Sequence, residues 1–140
     1  MQHEQQGGFN SKNNILKIFQ TVMVKTKIHH LALDQLSNAE YLCFAQQVAN
    51  LIPSAKALHV ADHVVIGYKA NIVKMADTQD CTAIRMDMDD QYEDITATVD
   101  AFNFIQPSQE ITDFIAGLNK LVDRTRKANR RRIRQKAYDG

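Results

Sequence analysis

Downstream of residue 36, apolar residues recur at steps of three and four, and polar or proline-bearing breaks cut that pattern into four amphipathic segments. The first opens at Ser37-Asn38-Ala39-Glu40, whose Ser-x-x-Glu spacing lets hydroxyl and carboxylate each satisfy an orphaned backbone amide at a helix start. Tyr41, Phe44, Ala45, Val48, Leu51 and Ile52 then form one stripe, which Pro53 stops because it has no amide hydrogen to donate. A second helix is predicted from about Ser54 to Ala76, burying Leu58, Ala61, Val65, Tyr68, Ile72 and Met75. Gly67 either weakens it by roughly 1 kcal/mol relative to alanine or marks a close helix crossing.

Asp77-Thr78-Gln79-Asp80 offers caps for a third helix reaching about Phe104, with Ile84, Met88, Tyr92, Ile95, Val99 and Phe102 on its inner side. Pro107-Ser108 starts the fourth, in which Ile111, Phe114, Ile115, Leu118, Leu121, Val122 and Thr125 keep an almost unbroken heptad-like seam. Short connections make successive helices antiparallel neighbours. The fold class expected is therefore all-α, an antiparallel four-helix bundle built from two helical hairpins, 37–76 and 81–136.

Ahead of the bundle, residues 1–14 are polar and aperiodic. Residues 15–36 mix a short helical pattern with an extended lead-in, and Met23 offers an alternative chain start. The division expected is a poorly ordered or loosely packed segment over 1–26 and a helical bundle domain over 27–136. A length of 140 residues with 44% hydrophobic and 24% charged residues suits one globular core, and five glycines with two prolines are too few for the turns of an all-β chain.

Charge changes the picture. Residues 1–76 hold seven Lys/Arg and four Asp/Glu, residues 77–113 hold one and ten, and residues 114–140 hold nine and two, so the nets are +3, −9 and +7. Folding the third and fourth helices back about residue 106 sets Asp87 near Thr125, Asp90 near Val122 and Asp80 near Arg132, so the acidic cluster Asp87, Asp89, Asp90, Glu93 and Asp94 flanks the basic one and mutual neutralisation of the two helices is the leading expectation. Positive charge also suits a helix C-terminus. The overhang carrying Arg130, Arg131, Arg132 and Arg134 lies beyond those acids and is the candidate anion-binding site, since clustered cations bind phosphate by releasing counterions.

Little else carries chemistry. Asp89-Asp90-Gln91-Tyr92-Glu93 has the spacing of a magnesium-binding helix face without a second acidic motif, and a solvated acidic face is the simpler account. His59 and His63, four apart on the predicted second helix, have zinc spacing but no assigned third ligand. Cys43 and Cys81 are 38 positions apart and read as reduced, mostly buried thiols. No catalytic residue, metal site or cofactor is assigned. No window has the 18 or so apolar residues of a membrane span, and a cytoplasmic address is expected.

Lys27-Ile28-His29-His30-Leu31, then Leu36-Ser37-Asn38-Ala39-Glu40-Tyr41 and Phe44, resemble the opening of a helical family of unassigned function from Bacteroides-type bacteria. Tyr92, Ile95, Val99, Ala101, Phe114-Ile115, Leu118-Asn119 and the arginines up to Arg132 resemble its closing hairpin, here with less helix between the two parts. The resemblance implies a helical bundle and no activity. The function expected is a non-catalytic helical interaction module engaging an unknown protein partner or itself, possible homodimer included, with nucleic-acid or anionic-surface binding through the basic C-terminal helix as the alternative. A metal-dependent enzyme is the third and weakest reading.

Overall fold

Four helices fold up, down, up and down in a computed structural model that describes residues 27–78 and 81–139: α1 (Asn38–Leu51), α2 (Asp62–Asp77), α3 (Thr82–Ile105) and α4 (Gln109–Asp139). The short helix and possible start site expected within 1–26, and the Gln79 and Asp80 caps, lie outside the described residues. The cross-helix contacts establish the directions. Glu40, Gln47 and Leu51 of α1 meet Arg132, Arg124 and Gly117 of α4 in descending order, so these helices are antiparallel. Tyr41 and Phe44 meet Asp89 and Tyr92, so α1 and α3 run parallel across the bundle.

Local chemistry explains most boundaries. The capping box of α1 is complete, with the Ser37 amide donating to Glu40 Oε1 at 2.8 Å and the Glu40 amide to Ser37 Oγ at 3.2 Å. Pro53 holds Ile52 extended and ends α1. Ser108 opens α4, its hydroxyl accepting from the Ile111 amide. α3 takes Cys81 as its N-cap residue, whose side chain makes no capping hydrogen bond.

The second helix is shorter than its pattern predicts. A single turn forms over residues 54–58, and His59 then takes φ 58°, closing the turn with bonds from the Val60 amide to the Ala55 carbonyl and the His59 amide to the Lys56 carbonyl. This is a left-handed helix stop, normally made with glycine, and the imidazole is held there by stacking on Phe102 at 4.1 Å between ring centroids. Leu58 and Val60 are buried on either side of the stop, whereas Ala61, expected inside, is exposed. His59 therefore does not share a helix face with His63, which removes the zinc spacing.

One core joins all four helices. Val48, Leu58, Met88, Ile95, Ile111, Leu118 and Val122 are fully enclosed, each a side chain whose removal from water stabilises the fold by about 1.5–3 kcal/mol. Gly67 marks a close crossing, because a Cβ there would stand 2.6 Å from the Gln91 amide nitrogen, and a Cβ on Gly117 would stand 2.9 Å from Leu51. Buried Asn71 donates to Asp87 and Gln91 at 2.8 and 2.9 Å, locking α2 to α3. Cys81 is buried as expected, but Cys43 sits on the outer side of α1 and is exposed, a correction to the reading of both thiols as mostly buried.

Thr98 breaks the rule of satisfied interiors. Its side chain is buried at 2% exposure and its hydroxyl has no hydrogen-bond partner. Thr98→Val keeps the shape and removes that unpaired group, so stability is expected to rise by about 1 kcal/mol, measured as a higher denaturant midpoint with unchanged slope.

Candidate functional site

The candidate site is the outer face of α4, and it is best understood from the inner face. Ile111, Phe114, Ile115, Leu118, Leu121 and Val122 are buried against the bundle, and the seam continues through half-buried Thr125, buried Asn129 and half-buried Arg132. At 100° per residue the opposite side carries Lys120, Arg124, Lys127, Arg131 and Arg134 in alternating steps of four and three, with Arg130 flanking them. All six are exposed. From Lys120 to Arg134 the stripe is about 21 Å long on a rigid element.

The inner and flanking cations have structural partners. Arg132 Nε pairs with Glu40 Oε2 at 3.0 Å while its Nη2 donates to the Gln35 carbonyl and Asn129 Oδ1, both at 2.9 Å. Arg126 donates to the His30 carbonyl and lies 3.9 Å from Asp123, which also pairs with His29 Nδ1 at 2.9 Å. Arg124 donates to Gln47 Oε1 at 2.8 Å but keeps an exposed side chain on the stripe. The Ser37 amide, the largest influence, and Arg132 together hold the Glu40 carboxyl below its ordinary value.

The four arginines expected as a set therefore divide. Arg130, Arg131 and Arg134 face outward, with no partner among the described residues, whereas Arg132 turns inward and ties α4 to α1. The expected neutralisation by α3 takes a different form as well. Asp87 accepts from Asn71 and Asp89 from Tyr41, and every ion pair among the described residues that involves an α4 cation goes to Asp123 or Glu40. Arg124, Arg126 and Arg132 lean toward α1 and the lead-in, away from the acidic face of α3.

Sequence reasoning missed the lead-in as an organiser. Arg85 of α3 donates from Nη1 to the Leu36 carbonyl at 3.0 Å and Asn38 Oδ1 at 2.9 Å, and from Nη2 to the Leu33 carbonyl at 2.8 Å, with its guanidinium 4.3 Å over the Tyr41 ring. Burial first, then the hydrogen bond to Asp89, pushes the Tyr41 hydroxyl far above its ordinary range, so it stays a donor. The available signal was Arg85 itself, the lone cation in the acidic segment 77–113.

Among the described residues, no three His, Cys, Asp or Glu side chains are grouped to hold a metal ion, and no helix is long and apolar enough to cross a membrane. Compared with protein families, with curated proteins and with solved structures, the chain finds no match. The division of α4 has a direct check: Arg132→Ala should lower stability by about 1–2 kcal/mol through loss of its partly buried hydrogen bonds, whereas Arg131→Ala should stay within about 0.5 kcal/mol, both read by chemical denaturation.

Proposed function

We propose that the protein is a non-catalytic helical binding module that holds the phosphate backbone of a nucleic-acid duplex against the outer face of α4. The observation that carries this reading is the separation of the α4 cations: Arg126 and Arg132 are bound to the lead-in and α1, while five others form an exposed stripe about 21 Å long, flanked by Arg130, of which Arg124 alone also bonds to α1. A duplex places one phosphate charge about every 1.7 Å of axis, so a straight cationic rod meets several phosphates at once. A lipid surface suits the stripe less well, because an interfacial helix must insert its apolar face and that of α4 is buried in the core. No aromatic side chain stands among the cations from 120 to 134, which favours phosphate contact over stacking on single-stranded bases.

Binding of a random-sequence duplex, followed by fluorescence anisotropy, should weaken steeply with salt. Replacing Lys127, Arg131 and Arg134 together by glutamine should lower the slope of log affinity against log salt by about 3 and weaken binding at least tenfold at about 50 mM salt. Absence of binding at that salt, or equal binding by the triple variant, would reject the reading.

A second reading, self-association, is supported by the outer face of α2, where Ile66 and Val73 are 67% and 63% exposed two turns apart with exposed Ala70 between them. This face is where a second copy of the chain would dock as a homodimer. Sedimentation at high protein concentration should then show a dimer that Ile66→Glu with Val73→Glu converts to monomer; a monomeric parent protein would dispose of it.

A further inference from the structure

A cleft of about 290 Å³ lies between α1 and α4, bracketed by two cross-helix contacts. At one end Arg124 donates to Gln47 Oε1 at 2.8 Å, and at the other Leu51 lies so close to Gly117 that a Cβ on the glycine would stand 2.9 Å from it. The span of α4 between the two contacts is about 10 Å along the axis. Along this span the cleft is lined by Lys120 of α4 and Asn50 of α1. Its apolar lining comes from Leu51 and Leu121, beside the bare backbone of Gly117.

The polar lining is cationic without local compensation. Lys120 and Arg124 are both exposed, and no acidic side chain lines the cleft. Three acids of the same two helices are engaged elsewhere, Glu40 with Arg132, Asp113 with Gln109 and Asp123 with His29. The Lys120 and Asn50 side chains have no hydrogen-bond or ion-pair partner among the described residues. Arg124 has five guanidinium donors, and the bond to Gln47 occupies one nitrogen of the fork. The cleft therefore combines two positive charges and uncommitted donors with an apolar surface.

Charge and shape together select a ligand class. A backbone phosphodiester carries a single charge, whereas a phosphate monoester carries about −1.5 to −2 at pH 7 and so matches two cations. Its three terminal oxygens accept charge-assisted hydrogen bonds from an ammonium and a guanidinium at once. Inorganic phosphate would leave the leucine surface uncovered, while a small carbon body attached to the phosphate would cover it.

We propose that this cleft binds a small phosphate monoester with a compact apolar body, the phosphate on Lys120, Arg124 and Asn50 and the body against Leu51, Gly117 and Leu121. The site goes beyond duplex binding and does not depend on it, since its ligand is a free small molecule.

Calorimetric titration of the full chain with phenyl phosphate at fixed ionic strength tests this, with inorganic phosphate and phenol as the two halves of the ligand. Saturable one-to-one binding with a Kd of about 1 mM or tighter is expected, and each half alone should bind at least about tenfold more weakly. Lys120→Gln and Arg124→Gln should each weaken phenyl phosphate about tenfold or more, whereas Lys74→Gln, which removes an exposed cation from α2, should leave it unchanged. If circular dichroism shows that Arg124→Gln alters the fold through its bond to Gln47, Lys120→Gln alone decides. The proposal is overturned by the absence of saturable binding, by inorganic phosphate binding as tightly as phenyl phosphate, by undiminished binding in Lys120→Gln, or by an equal loss in Lys74→Gln, which would assign the heat to positive charge at large.

Discussion

The constraint on which the rest of the structure depends is the backbone of residues 27–36. This stretch runs over the bundle with only one 3-10 turn, Leu33–Gln35, so most of its amides and carbonyls have no ladder to join. Backbone polar groups at a packed surface must nevertheless be paired. Side chains far away in sequence do this. Asn119 takes the His29 amide and gives to the Lys27 carbonyl, Arg126 gives to His30, Arg85 to Leu33 and Leu36, and Arg132 to Gln35. The lead-in is thereby a strap that only a formed α3–α4 hairpin can hold.

Holding the strap decides how the cations of α4 are used. An arginine carries five donors in a fixed fork, which suits it to several carbonyls at once. Arg126 and Arg132 are turned toward the strap because their helical positions fall at the edges of the inner seam. Positions 120, 124, 127, 131 and 134 fall on the opposite side and point away from it. The same amphipathic helix therefore separates fold-supporting from solvent-facing charge by angle alone, without any change in residue type.

The helices and their inner stripes were legible because a 3.6-residue period leaves a long statistical signature. Ile111, Phe114, Ile115, Leu118, Leu121 and Val122, with Met88, Ile95 and Val99, are buried where the pattern puts them, and Tyr92 is half-buried. The start of α2 was not legible, because a left-handed stop is ordinarily announced by glycine and here is made by His59, held by Phe102 more than forty positions away. The roles of the arginines were hidden for a related reason. A run of like residues gives charge but not direction, and direction depends on which carbonyls the lead-in brings near. Cys43 fell at a position adjacent to the apolar stripe, where the sequence pattern alone does not distinguish edge from interior.

The charge segregation also fixes the side from which a polyanion would approach. α3 presents exposed Asp87, Asp90 and Glu93, while α4 presents its cations, and among the described residues the ion pairs of α4 run to α1, to His29 of the lead-in and within α4 itself. Since screening shortens the reach of exposed charges to about 8–10 Å at physiological salt, the two faces act locally and do not cancel, although the whole chain is nearly neutral at +1. A duplex entering from the α3 side meets repulsion, and one entering from the α4 side meets attraction, so orientation is imposed before any close contact forms. Overall charge is thus a poor guide to what this molecule would bind. The informative quantity is the placement of each charge relative to the strap, which binds the inner arginines and leaves the outer ones facing solvent.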